Sequence, residues 1–344
     1  MKQSKEEAIR SLSFFVATMQ LKKILDAMKI IREFSKINNY EVMPKCMLLT
    51  GEAGVGKTYF IKQYVDSYPR YDISDDFGEK TIVPVLYCEL PKAKHPKPVV
   101  SQLLYKLGDP LKGLKGDVRE LTERLIHLLK ETKTELIIVD EVQHAIETTN
   151  RNVIQEIGEW FKILINESRI PIVLVGVPWA QPVIDVNAQL RRRVRYHYEL
   201  KNYTLKTFDE FQMFLQKIEE RLPVKIYTTL WEVEMAFRLF AASNGNLSEL
   251  LEGTIIPACE IAITNSQEVV TEENFIEAID ENSNFKYKNP FLIDSIKDIR
   301  AYQQKTSSRW NASAKNKQQR VIDAVYAKVK FSDLKLNDIL SKKK

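Results

Sequence analysis

The residues of this 344-residue chain best suited to chemistry are Gly51-Glu52-Ala53-Gly54-Val55-Gly56-Lys57-Thr58, a glycine-rich stretch ending in an ammonium and a hydroxyl. Gly51, Gly56, Lys57 and Thr58 fill the frame G-x-x-x-x-G-K-[ST], between a strand-like Cys46 to Thr50 and a helix-like Tyr59 to Val65. Glycines let backbone N–H groups approach phosphates, and the helix that follows adds partial positive charge from its N-terminus. Lys57 reaches the outer phosphates and Thr58 offers an oxygen to Mg²⁺. The expected contacts of a nucleoside triphosphate therefore run from Gly51 through Glu52, Ala53, Gly54, Val55, Gly56, Lys57 and Thr58 to Tyr59.

The second constellation is Leu136-Ile137-Ile138-Val139-Asp140-Glu141, four apolar residues that end in two carboxylates. Asp140, with Thr58, would hold Mg²⁺, and Glu141 would orient and deprotonate an attacking water beside the terminal phosphate. A strand pattern between Lys57 and Asp140 (Thr81 to Leu90) accompanies such a glutamate in phosphate-loop enzymes and argues for ATP over GTP. Four arginines lie within Arg191-Arg192-Arg193-Val194-Arg195, beside a strand-like Tyr196 to Leu200. Planar guanidinium suits a finger reaching a phosphate in a neighbouring subunit, with surface binding to DNA phosphates as the competing explanation.

These residues need a scaffold. Continuous apolar runs alternate with amphipathic segments up to about residue 203, the pattern of a parallel α/β sheet. Residues 1–40 carry apolar positions at helical spacing, among them Leu12, Phe15, Val16, Leu25 and Ile31. From Thr207 the stripes are helical only, with Phe208, Phe211 and Phe214 opening the first of about four helices. The expected divisions are an N-terminal helical extension (1–40), an α/β nucleotide-binding domain (41–203), a helical lid (204–285) and a basic tail (286–344), irregular beyond Asn284 and reading as a flexible linker. A last amphipathic piece, Val321 to Val329, is suited to folding against a partner.

The charge of +5 is unevenly spread. Residues 286–344 hold fifteen Lys/Arg against five Asp, a net +10 that leaves the first 285 residues at −5. Such an appendage suits nucleic acid, an acidic partner or plain solvation. No apolar run approaches the length of a membrane span and the N-terminus lacks a signal-peptide profile, so a cytoplasmic location without membrane contact is expected. The three cysteines are widely spaced in apolar or helical segments and offer neither a disulfide framework nor a zinc pattern.

The phosphate loop, the Asp-Glu strand end, the arginine-rich strand entry and the helical lid together resemble the AAA+ ATPases. Asp140-Glu141-Val142-Gln143-His144 is similar to the Asp-Glu-x-Gln-His motif of the TniB/TnsC regulators of DNA transposition, Gln189-Leu190-Arg191-Arg192-Arg193-Val194 to their Leu-x-Arg-Arg-Phe segment, and Asn289-Pro290-Phe291 to a tripeptide after their lid. The resemblance spans roughly residues 10–295. It implies an AAA+ P-loop NTPase core with a parallel five-stranded sheet, followed by a small all-α lid domain.

It also implies a Mg²⁺-dependent ATPase that assembles as a homo-oligomeric ring or filament on double-stranded DNA of any sequence and links a target-selector protein to a transposase. ATP hydrolysis then acts as the timer, with Arg192 and Arg193 as finger candidates acting in trans. Lys92, Lys94 and Lys97, on a loop after the second strand, are the candidate DNA contacts, with a solvated loop as the alternative. His144 is either a nucleotide sensor or a structural histidine. Val177 and Ser248 stand where many relatives carry a polar sensor and some lids an arginine, which implies slow or assembly-dependent hydrolysis and leaves room for an ATP-binding scaffold. Two other readings stay open: a replication initiator or helicase loader, and a nucleotide-switched signalling scaffold that does not bind DNA.

Overall fold

The computed structural model describes residues 5–75, 78–147, 151–283, 285–311, 313–314 and 320–334. Five strands, β1 (Cys46–Gly51), β2 (Val85–Glu89), β3 (Leu136–Asp140), β4 (Ile172–Gly176) and β5 (Val194–Leu200), form one sheet in the order β2-β3-β4-β1-β5. All its pairings are parallel. A parallel sheet is covered on both faces, so its strands must be apolar throughout, and every residue of β1, β3 and β4 is buried.

The alternation of side chains sorts each strand between two cores. Leu48, Ile137, Val139 and Leu174 pack under helices Lys97–Leu107, Val118–Glu131 and Arg151–Ser168. Met47, Leu49, Ile138, Val173 and Val175 pack under helices Met19–Ile37 and Lys57–Asp66. Strands β1 and β3 flank β4, so the loop after Gly51 and the carboxylates after Val139 emerge at the same sheet edge.

Two local expectations change. The strand pattern of Thr81 to Leu90 is broken at Pro84, which has no N–H to give to a ladder. Gly78–Ile82 pairs instead with Tyr71–Asp75 in an antiparallel hairpin, and only Val85–Glu89 joins the main sheet. The helical spacing through Phe15 and Val16 does not produce a helix either, because residues 13–18 have no regular structure. Thr18 starts the long helix by accepting from the Leu21 N–H at 3.1 Å, and the residues before it run along the junction between core and lid.

The lid is built on helices Phe208–Glu219, Val233–Ser243, a segment from Leu247 to Thr264, and Glu272–Glu281. The third of these carries a π-helical turn at Leu251–Ile255, just before Pro257, whose missing N–H disturbs the regular ladder. Asn289-Pro290-Phe291 closes the lid. The Asn289 amide donates to Ile276 O (3.1 Å) and Asp280 Oδ1 (2.9 Å), and Phe291 stacks on Phe275 at 5.2 Å.

The expected linker beyond Asn284 is structured where it is described. Strands β6 (Arg300–Thr306) and β7 (Val325–Lys330) pair antiparallel, and Arg309–Trp310 pairs with Val321–Ile322 further along the same hairpin. Val321 to Val329 is therefore folded within this chain. Ile299, Ala301, Val329 and Leu334 are buried in the lid core, Phe331 meets Phe237 at 5.2 Å, and Trp310 reaches across to stack on Trp179 of the α/β core. The lysines at 315, 317, 335 and 342–344, part of the expected basic tail, lie outside the described residues. Among the described residues no helix is long and apolar enough to cross a membrane.

Phe237 is fully buried among Phe208, Phe240 and Phe331. Phe237→Ala is expected to cost about 3–5 kcal/mol of stability, read from urea unfolding. Cys46, Cys88 and Cys259 are free and buried, and burial pushes each thiol up to about 12. A disulfide reagent at pH 8 should therefore label the chain rapidly only after denaturation.

Candidate nucleotide site

The phosphate loop takes its shape from two glycines. Gly54 and Gly56 have φ of 76° and 87°, left-handed values that side chains disfavour. At Gly54 space is also decisive, since a Cβ there would lie 2.5 Å from Asn246 Oδ1 of the lid. Asn246 donates to Ala53 O at 2.9 Å and the Ser248 N–H donates to Gly54 O at 2.9 Å, so the lid grips the loop by its carbonyls. Gly56 caps helix Lys57–Asp66 without a side-chain acceptor, which leaves the first-turn N–H groups to an outside anion.

Lys57 is only 8% exposed and donates to Gly51 O (2.7 Å) and Glu52 O (2.9 Å). Burial lowers its pKa, while the carboxylates of Asp140, Glu141 and Glu52 work in the opposite direction. Asp140 is fully buried and well supplied with donors. Its Oδ2 accepts from Thr58 Oγ1 at 3.0 Å and lies 3.3 Å from the Tyr87 hydroxyl, and its Oδ1 accepts from the Glu141 N–H at 2.8 Å. Burial, then the charges of Asp140 and Glu89, push the Tyr87 phenol well above its ordinary pKa and keep it a donor. The hydroxyl and carboxylate pair of Thr58 and Asp140 fits Mg²⁺, a hard cation that takes one or two protein oxygens beside phosphate and water.

Glu141 stands at φ 58°, an unusual backbone for a residue other than glycine, and its side chain lines the cavity in front of the loop. That cavity measures about 560 Å³. Its floor is Ala53, Gly54, Gly56, Lys57, Thr58 and Tyr59; its other walls come from Leu12 to Val16 and from lid residues such as Phe214, Leu247, Leu251 and Ile256. Phe15 and Tyr59 pack with ring centroids 5.8 Å apart. A polar floor under apolar walls can seat a triphosphate and a flat base together.

The remaining expected site residues sit elsewhere. Gly51 and Val55 shape the loop from behind, and Asp140 lies beneath Thr58. The Glu52 carboxylate turns to the C-terminal hairpin, accepting from the Ser308 N–H (2.6 Å) and Oγ (3.1 Å). Arg192 is exposed at the end of helix Ala188–Arg193, and Arg193 donates to Asn166 Oδ1 at 3.3 and 3.4 Å. Neither lines the cavity of its own chain, nor do Lys92, Lys94 and Lys97. Lys92 and Lys94 are exposed on the loop after β2, and Lys97 begins the next helix. The His144 ring nitrogen Nδ1 lies 2.8 Å from Leu90 O, in keeping with a structural histidine.

Sequence reasoning missed Asn246, Tyr87, Gln143 and Ser308. Asn246 had one available signal, its position as a helix cap after Gly245. Gln143 stood in the Asp140-Glu141-Val142-Gln143-His144 motif, two residues after Glu141, without a role of its own, whereas Tyr87 and Ser308 lie far from the loop in sequence and reach the site only through sheet pairing or the hairpin.

The family described as bacterial TniB protein matches residues 9–203, more than half of the chain. The chain belongs to the TniB family. This TniB protein is similar in structure to Aeropyrum pernix ORC2 in its ADPNP-ADP complexes (TM-score 0.58, 15% identity, covering 81% of this chain and 72% of that one). Others are A. pernix ORC1 in complex with DNA (0.54, 17%, 79% and 69%) and Cdc6p from Pyrobaculum aerophilum (0.56, 15%, 79% and 70%). At such identities the likeness is one of fold, an AAA+ core with its helical lid. No curated protein matches the chain.

Asn246 both caps the lid helix and holds Ala53 O. Asn246→Ala in this TniB protein is expected to cost about 1–3 kcal/mol, as a lost cap plus a lost hydrogen bond, and to weaken nucleotide binding. Urea unfolding and the fluorescence of a labelled nucleotide measure the two effects.

Proposed function

We propose that this TniB protein is an ATP-dependent, DNA-binding regulator of transposition that oligomerises on target DNA, links a target selector to the transposase and uses hydrolysis as a timer. The observation that carries the reading is one cavity lined by the Lys57 loop and Glu141, with Asp140 buried beneath it and hydrogen-bonded to Thr58, in a member of the TniB family.

The residues divide the work. The loop N–H groups and Lys57 would hold the β- and γ-phosphates. Thr58 and Asp140 would hold Mg²⁺, which when bound neutralises charge on the phosphate oxygens. Glu141 accepts a proton from water as its oxygen bonds to the terminal phosphorus and the bond to the bridging oxygen breaks, leaving ADP and phosphate. Arg192 stands exposed on a short helix away from this cavity, in the kind of position from which a guanidinium serves a neighbouring copy. The exposed Lys92 and Lys94, with Lys97, supply cations for duplex phosphates, a contact indifferent to sequence and sensitive to salt.

Electron microscopy of the protein with duplex DNA and a non-hydrolysable ATP analogue should show rings or filaments on DNA of any sequence. A monomer under those conditions at low salt overturns the reading, and binding confined to one DNA sequence would replace it with that of a replication initiator. Glu141→Gln should lower hydrolysis by about 10²–10⁴-fold while assemblies persist. Arg192→Ala and Glu141→Gln subunits, each nearly inactive alone, should recover hydrolysis when mixed, since a mixed interface can pair an intact glutamate with an intact arginine.

A further inference from the structure

We propose that Gln143 is a positioning residue for Glu141: its buried side-chain amide ties the carboxylate to the end of β4 through the Val177 N–H. The proposal rests on the reading of the cavity as an ATP-hydrolysing site.

Gln143 is 6% exposed, and a buried amide must use its donor and its acceptor. Its Oε1 accepts from the Val177 N–H at 3.3 Å, and its Nε2 donates to Glu141 Oε2. The Val177 N–H can only donate, which fixes the amide's orientation and directs the NH₂ group at the carboxylate. The strand end is cut to admit it. A Cβ on Gly176 would lie 2.7 Å from Gln143 Oε1 and 2.9 Å from Val142 Cγ2, so glycine there leaves room for the amide.

The Glu141 backbone is already held on both sides. Its N–H donates to Asp140 Oδ1 at 2.8 Å, its carbonyl accepts from the His144 N–H at 3.0 Å, and the Val142 N–H donates to Val175 O at 3.0 Å. What these bonds leave undetermined is the direction of the side chain, a long rotamer-rich one. The Gln143 amide settles that direction by engaging Oε2 and leaving Oε1 for water. Because its other end sits on the N–H of residue 177, the base is registered to the strand end where other AAA+ sites place a polar contact to phosphate. Val177 has no polar side chain, and its backbone N–H is what anchors the amide that orients the carboxylate.

Gln143→Met keeps the length and apolar volume of the side chain and removes both bonds. With DNA present, kcat for ATP should fall about 10–100-fold, while KM and the affinity for a labelled non-hydrolysable analogue stay within twofold. In a Glu141→Gln background the same substitution should cost nothing further, whereas a merely structural role would lower both backgrounds alike. In nucleotide-free protein the NMR signal of the Gln143 side-chain amide should move on Glu141→Ala, a readout independent of turnover and of the folding of the Met variant. Wild-type hydrolysis with an unchanged kcat in Gln143→Met, or an amide signal indifferent to Glu141, overturns the role of Gln143 alone. A wild type that binds but never hydrolyses ATP on DNA overturns the reading of the site and this proposal with it.

Discussion

The structure depends on how the phosphate loop is gripped. Its carbonyls at Ala53 and Gly54 accept from Asn246 and the Ser248 N–H of the lid, and the contact exists because Gly54 combines a left-handed backbone with the absence of a Cβ. A side chain there would strain the loop and push the lid away in the same stroke. The shape of the phosphate cradle and the seating of the lid are therefore one property of the chain, and neither can be altered without the other.

Around that loop the protein gathers more negative charge than an anion site would tolerate unmanaged. Asp140, Glu141 and Glu52 all act on the single ammonium of Lys57. Each carboxylate is given donors: Thr58 and the Glu141 N–H serve Asp140, Gln143 serves Glu141, and Ser308 serves Glu52, while the Tyr87 hydroxyl stands between Asp140 and Glu89. Hydrogen bonds of this kind to a charged acceptor are among the stronger ones. The arrangement keeps Asp140 and Glu141 beside the loop and turns Glu52 away from the cavity.

Most of the scaffold was legible in the sequence because a buried parallel sheet demands unbroken apolar strands, and Cys46 to Thr50, Leu136 to Val139 and the run up to Val175 have that form. The loop was legible because its chemistry is local. Apart from the Gln143–Glu141 pair, what escaped was built from pairs distant in sequence. Tyr87 reaches Asp140 because β2 lies beside β3, placing Glu89 opposite Asp140. The hairpin escaped because β6 is mostly polar and few residues of either strand are buried. Ala301 and Val329 alone turn fully inward as paired neighbours, too few apolar positions to mark a strand. Phe15 and Val16 misled in the opposite way: their helical spacing reflects burial against the core and lid rather than a helix.

The hairpin changes what the basic segment means. A solvated tail would contribute only its charge, but this segment is fastened at three separate points, to the loop, the α/β core and the lid. Ser308 holds Glu52 of the phosphate loop, Trp310 stacks on Trp179 after β4, and Ile299, Ala301 and Val329 lie in the lid core. Gln303 and Gln304 add bonds to the Leu205 N–H and Asn202, at the junction where core becomes lid. A rotation of the lid relative to the sheet must therefore break the Glu52–Ser308 contact, unstack the tryptophans or deform the hairpin. Breaking a bonded, partly buried carboxylate contact is the costly choice and bending a two-stranded ribbon the cheaper one. By that ordering of costs, a lid movement that loosens the Asn246 and Ser248 grip on the loop also bends the hairpin, and the cations on its strands move with the lid.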